Sequence, residues 1–177
     1  TSQSDVLATA LDLIGIDFSE IALRGVKAEK KVGSITEIPL ERKSYDVVCA
    51  LEVLEHLNEK DFEKAREELS RVSSKYILVS TPFEEDLELE FVKCRKCKTR
   101  YNASHHKRSF SESDIRNLFK KYGFECIDVK YISKRNEYLI LSNIMKGYRK
   151  LRGIRNSDRA VCPVCGFKES YVKTKGG

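Results

Sequence analysis

The chain has 177 residues, with 33 Lys and Arg against 27 Asp and Glu and a net charge of +6. A hydrophobic share of 41% supports one packed domain with a small appendage, and that charge permits an anionic partner without demanding one. No apolar run approaches the ~20 residues of a bilayer span and no charged-then-apolar leader is visible, so the expectation is a chain without a membrane-spanning helix, in the cytoplasm.

Residues 4–10 read as the end of a helix. Leu11 to Asp17 is an apolar run bounded by an acid, as in a buried parallel strand. Ser19 caps a short helix that ends near Gly25. Lys31 to Ile35 is a short strand, Pro39 to Lys43 a loop, and Tyr45 to Leu51 the next strand. A helix is expected to begin near Glu52, which would place Glu52, Glu55 and His56 on one face. Asn58 caps a helix whose Phe62, Ala65, Leu69 and Val72 repeat at helical spacing. Lys75 to Ser80 is a strand stopped by Thr81-Pro82.

Residues 83–108 are polar and show no clear period. Ser111 caps a further helix, with Asp114 at the box position and Ile115, Leu118, Phe119 and Tyr122 along one face up to Gly123. Phe124–Ile132 and Tyr138–Ile144 read as an antiparallel pair. Residues 146–159 form a basic linker or loose helix. The predicted fold class is α/β, a Rossmann-like, mostly parallel sheet with an antiparallel C-terminal hairpin. The domain reading is a core over 1–145 with a loop insert at 83–108. Residues 146–177 follow as a basic linker and a knuckle that packs on residues 94–97.

Two segments carry the chemistry. Tyr45-Asp-Val-Val-Cys-Ala-Leu-Glu-Val-Leu-Glu-His-Leu57 is a strand that presents two carboxylates and an imidazole at its C-terminal edge, where open α/β sheets keep their ligand crevice. Leu13-Ile-Gly-Ile-Asp-Phe-Ser-Glu20 is a second strand ending in an acid. Together these resemble class I S-adenosylmethionine-dependent methyltransferases, of the group that includes the ubiquinone-biosynthesis O-methyltransferases. The resemblance runs from about residue 10 to 145.

It implies a seven-stranded sheet with one reversed strand. It also implies S-adenosylmethionine as cofactor, with Asp17 on the ribose hydroxyls and Phe18 against the adenine. Ser34 and Ile35 stand at the next strand tip, where the family often has an acid, and Leu51 lies at the methionine end. The family's first strand and glycine-rich turn have no counterpart before Asp17 in this sequence. Asp17 read for itself either binds ribose or starts a turn.

Glu52, Glu55 and His56 can bind a divalent cation, supply a general base, or favour a helix N-terminus. His106, in His106-Lys-Arg-Ser-Phe-Ser111, resembles the loop histidine before the last helix of many of these enzymes. In small-RNA 2′-O-methyltransferases a similar Glu-x-x-Glu-His with a later His holds a magnesium-type ion. His105 reads as a solvated loop residue.

Six cysteines are present. Cys94-x-x-Cys97 and Cys162-x-x-Cys165 are the knuckles of a zinc ribbon, because each short turn presents two thiolates to one tetrahedral ion. The 64 residues between the pairs fit a tail that folds back onto a loop. Disulfides are the alternative, and the missing secretory signal argues against them. Neither knuckle reads as having an apolar core, so the shared ion would hold both. Such a clip would form a cap carrying Tyr101, His105 and His106 towards a crevice. Cys49 and Cys126 read as buried strand residues.

The leading expectation is methyl transfer to an oxygen or nitrogen, with small molecule or RNA as substrate class left open, and oligomeric state with it. The first rival is a methyltransferase-fold binding module whose zinc ribbon and basic linker bind RNA or protein. The second is another nucleotide-using α/β enzyme, such as a dehydrogenase.

Overall fold

The computed structural model describes residues 13–132 and 160–168. These fall into two compact units. One holds the described residues up to Ser80 together with Asn117–Cys126; the other holds Thr81–Arg116 and the described residues from Ile127 on.

The first unit is built from two parallel strand pairs. β1 (Ile14–Asp17) is followed by a one-turn helix α1 (Glu20–Leu23) and by β2 (Glu29–Val32), with Asp17 level with Val32. Ser19 caps α1 as its type predicts, its hydroxyl accepting from the Ala22 N–H. β2 lies earlier than the strand expected over 31–35. Ser34 instead makes a bridge with Glu37, because the chain must turn back towards Pro39. Gly33 is required there: a Cβ would stand 2.6 Å from Pro39 Cδ.

β3 (Tyr45–Leu51) pairs in parallel with β4 (Ser73–Ser80) through the crossover helix α2 (Glu59–Val72). Asn58 caps α2 by accepting from the Asp61 N–H at 2.9 Å. Phe62, Ala65, Leu69 and Val72 are all buried, as their spacing predicts. Each fully buried apolar side chain of this kind contributes roughly 1.5–3 kcal/mol relative to exposure.

The polar face of α2 also works. Glu68 accepts from the Ile38 N–H, and Arg71 donates to the carbonyls of Ile38 and Leu40 and to Glu68. Lys43 Nζ donates to the Ser73 carbonyl at 2.7 Å, placing a cation at the helix C-terminus. The 38–43 loop is thus fastened to one helix.

α3 (Glu112–Asn117) is shorter than its apolar face predicts, and a 3-10 turn over Lys120–Tyr122 takes its place before Gly123 at φ 85°. Leu118 and Phe119 are nevertheless buried. In the first unit, Arg66 donates to the Leu118 carbonyl and Tyr122 to that of Glu63.

The helix expected from Glu52 is corrected. Glu52 has φ 53°, outside any helix, and only a 3-10 turn, Leu54–His56, precedes α2. Residues 124–132 pair with no strand among the described residues, and the partner expected for them over 138–144 lies outside those residues. Cys49 is exposed and not buried, because it shares a strand face with Val47 and Leu51, both about half exposed, while Ala50 takes the face towards α2. Cys126 is half-buried.

The second unit holds the antiparallel strand pair found among the described residues, in a segment that gave no period in the sequence. After a 3-10 turn, Leu87–Glu90, β5 (Phe91–Lys93) pairs with β6 (Arg100–Asn102). Three residues per strand are too few for period 2 to register. Val92 and Tyr101, cross-strand partners, bury one face against Cys94 and Cys162, with Ala103, Ala160 and Phe167 around them. The knuckle therefore has a small apolar core of its own, contrary to expectation. The residues that supply it come from two distant segments. No helix among the described residues is long and apolar enough to cross a membrane.

Candidate functional site

The parallel pair β1–β2 brings four expected residues to one end. Gly33 N–H donates to the Asp17 carbonyl at 3.0 Å, so the turn holding Ser34 and Ile35 follows directly on the tip of β1. One Asp17 carboxylate oxygen accepts from the Ser19 N–H at 2.8 Å, which is the turn-starting bond of its residue type. Phe18 projects beside it, 83% exposed. A carboxylate next to an uncovered ring suits a ribose and a flat base. Ser34 Oγ lies 2.8 Å from Thr36 Oγ1 and accepts from the Thr36 N–H.

The end of β3 carries Leu51, exposed, then Glu52 in the left-handed region. For a residue with a Cβ that conformation costs roughly 1–2 kcal/mol. Two bonds hold it: Glu52 N–H donates to the Ser80 carbonyl at 3.0 Å, and Ser80 Oγ donates to the Glu52 carboxylate at 2.7 Å. Ser80, at the end of β4, was not singled out by its sequence. Its role follows from a register pairing Leu51 with Ser80.

The 3-10 turn then buries Leu54 and Glu55 completely. A buried acid is uncommon and makes this turn a candidate site. Glu55 and His56 stand on this one turn; Glu52 stands before it with a different backbone direction.

His106 belongs to the second unit. Its Nδ1 is 2.5 Å from the Glu85 carboxylate, and both side chains are largely buried. With Nδ1–H given to a carboxylate, Nε2 is the basic nitrogen of the ring. Asn102, buried at the end of β6, accepts from the N–H groups of Ser104 and His106 and donates to the Leu87 carbonyl, which fixes the loop. Neither Glu85 nor Asn102 was legible in the sequence, since 21 residues separate Glu85 from His106 and an acidic run surrounds it.

Tyr101 and His105 do not serve a crevice as expected. Tyr101 is buried in the knuckle and donates to the Ala160 carbonyl at 3.1 Å. His105 stacks edge-on against that ring, with Nε2 3.0 Å from the Val161 carbonyl. Both tie the tail to the hairpin.

The four knuckle cysteines are close together and free of disulfides. Cys94 Sγ lies 3.7 Å from Cys165 Sγ, and Cys97 Sγ 3.6 Å from Cys162 Sγ. Four sulfurs at ~2.3 Å from a tetrahedral zinc ion stand about 3.8 Å apart, so the thiols already have the spacing of that polyhedron.

The two knuckles share one backbone pattern. Lys98 N–H donates to the Cys94 carbonyl and Cys94 N–H donates to the Thr99 carbonyl, at 3.0 and 2.9 Å; the bonds from Gly166 N–H to the Cys162 carbonyl and from Cys162 N–H to the Phe167 carbonyl repeat this at 2.9 and 3.0 Å. Lys98 and Gly166, the matching positions, have φ 64° and 66°. The Thr99 hydroxyl and N–H favour the Cys97 thiolate and pull its pKa down to about 6. Burial opposes ionisation of Cys94, but the Cys97 and Lys96 N–H groups outweigh it and lower that thiol too. Cys165 is pushed up to about 11: a bond from the Phe167 N–H favours its thiolate, but burial and the neighbouring cysteine sulfurs prevail. Four thiols this close cannot all ionise without a cation among them.

A family model described as a methyltransferase domain matches residues 2–75. A comparison with curated proteins finds no match. Among solved structures, the chain is similar to an S-adenosylmethionine-dependent methyltransferase of Methanosarcina mazei, at TM-score 0.53 and 18% identity over 75% of this chain and 79% of that one. It is similar to the [4+2]-cyclase SpnF at 0.52 and 17%, over 82% and 56%. It is also similar to a Haloferax volcanii complex of the Trm112 methyltransferase activator with a methyltransferase, at 0.50 and 16%, over 70% and 54%. The chain thus spans between about half and four fifths of these neighbours. Residues 2–75 thus match a methyltransferase-domain model, and the likeness to these structures shows their mixed, mostly parallel α/β fold, to which this chain adds a group of four close cysteines.

Proposed function

We propose that the protein takes part in methyl transfer from S-adenosylmethionine to an oxygen or nitrogen nucleophile, and that Cys94, Cys97, Cys162 and Cys165 hold a structural zinc ion. The observation that supports the first part most is the end of β1–β2, where Asp17, Phe18, Ser34 and Ile35 lie together beside a backbone that only glycine permits at 33. When bound, the cofactor supplies an electrophilic methyl group on a sulfonium.

The chain's own residues have separate tasks. Asp17 accepts from the ribose hydroxyls, and Phe18 covers the adenine. Ser34 and Ile35 flank the base, and Leu51 borders the methionine end. Glu52, Glu55, His56 and His106 keep the role their residue types give them, as acid–base groups or donors to a divalent cation. His106 would accept a proton at Nε2 while Glu85 holds Nδ1–H and stabilises the cation that forms.

In-line transfer needs the nucleophile oriented before it reacts, so positioning is the main contribution asked of these groups. A set of four thiols stays reduced in the cytoplasm, which is where we place the protein. The test is calorimetry with S-adenosylmethionine on the wild type and Asp17→Ala. Loss of the ribose bonds should weaken binding tens-fold, about 2–4 kcal/mol. Equal affinity in the two proteins would remove Asp17 from the site.

A further inference from the structure

We propose that the β5–β6 knuckle of the second unit is a contact surface for the phosphate backbone of single-stranded RNA. The inference stands on the knuckle's own residues and needs no methyl transfer.

The segment 91–108 contains seven Lys or Arg and no Asp or Glu, in a chain whose overall ratio is 33 to 27. The register sharpens the imbalance. Lys93 and Arg100 are direct cross-strand partners, and both are exposed. Like charges directly opposite one another on a strand pair are destabilising. The turn between the strands adds Arg95, Lys96 and Lys98, and the second knuckle adds Lys168, all exposed.

Four thiolates around a zinc ion would leave a charge of −2, which accounts for part of this field and not for all of it. The acids nearest in sequence, Glu84 to Glu90, lie at the other end of the hairpin, where the Ala103 N–H donates to the Glu90 carbonyl. Three residues of strand separate that end from the knuckle, about 10 Å, or one Debye length at 0.1 M salt. The turn cations Arg95, Lys96 and Lys98 lie at the end of the hairpin away from these acids, and no Asp or Glu stands within the segment 91–108 itself.

The geometry favours an unpaired strand over a duplex. The Arg100 guanidinium carbon lies over the Phe91 ring, 4.5 Å from its centroid, and Asn102 stands opposite Phe91. A guanidinium held on a ring offers a planar cation on which a splayed base can stack. The described knuckle has no helix to enter a groove, and a ribbon of three residues per strand is short for reading one.

The experiment is fluorescence anisotropy of the full, zinc-loaded chain with a labelled mixed-sequence RNA strand of ~16 nucleotides, over a salt series. Six cations on phosphates should give a slope of log affinity against log salt of about −4, at roughly 0.7 per contact. The Lys93→Gln/Arg100→Gln variant, its zinc content and S-adenosylmethionine affinity checked as fold controls, should lose about 1.4 of that slope. Lys96→Gln, on the exposed turn, should lose about 0.7 and serves if the double variant does not hold zinc. Absence of binding, an unchanged slope in either variant, tighter binding to duplex RNA, or equal binding to a poly-glutamate peptide would each overturn the proposal. Because cofactor binding is read separately, failure here leaves the methyltransferase reading untouched, and the converse also holds.

Discussion

In the first unit, α2 lays Phe62, Ala65, Leu69 and Val72 against β3 and β4, and the loop at 38–43 is tied to the same helix by Glu68, Arg71 and Lys43. In the second unit, two six-residue turns of identical hydrogen-bond pattern face each other across four sulfurs, with Val92, Tyr101 and Phe167 as the apolar contribution. The first arrangement is local in sequence and is stabilised by burial. The second joins segments more than 60 residues apart and has little area to bury, and the zinc ion proposed above would supply what burial does not.

The largest effect that would break this contrast is removal of a thiol. Cys162→Ser should release the metal, expose the 94–105 segment and the described tail together to hydrogen exchange, and leave α2 and β4 protected. Elemental analysis should fall from about one zinc per chain towards none. Retention of full zinc, or loss of protection in α2, would show that the two units do not divide as described.

The converse substitution is Leu69→Ala. Leu69 is 2% exposed, and its truncation should cost about 2–5 kcal/mol in denaturant unfolding of the first unit, with zinc content unchanged. Zinc loss in this variant would couple the units.

A third measurement concerns acid. Arg71, bonded to Glu68, holds the Glu68 carboxyl below its usual range, helped by the Ile38 N–H and opposed by partial burial. A carboxyl depressed in the folded state contributes stability that is present above its unfolded pKa, near 4.3, and is lost as pH falls through the lower folded value. Glu68→Gln should therefore lower stability by about 1–2 kcal/mol at pH 7, and the difference from wild type should shrink below about pH 4. A difference that is constant with pH would mean that the charge is not what fastens the loop.

The smallest expected effect sharpens the likeness between the knuckles. Lys98 holds at φ 64° the position that Gly166 holds at 66°, and Lys98 Nζ donates to the Arg95 carbonyl at 2.7 Å. Lys98→Gly should relieve about 1 kcal/mol of backbone strain, less what that bond contributes, and so raise the melting temperature of the zinc-loaded knuckle slightly. A clear fall would assign more to the lysine side chain than to the backbone.

The sequence by itself determined the parts whose information is local. The apolar spacing of α2, the caps Ser19 and Asn58, the strand at Tyr45–Leu51, β4 from Lys75 to Ser80, and the two Cys-x-x-Cys turns were all legible, because each rests on residues within one or two turns of one another. What lay between was not. A helix from Glu52 fits the spacing of its acids, but the strand end pins Glu52 to Ser80 and turns its backbone left-handed. Cys49 has the company of a core strand, yet its face is decided by which side α2 covers. Glu85 became a partner of His106, and Tyr101 a wall of the knuckle, only when the chain brought together residues 21 and 59 positions apart. Propensity and periodicity act over a few residues, whereas register, the side a strand buries and the partner a charge finds depend on contacts that exist only after the chain has closed.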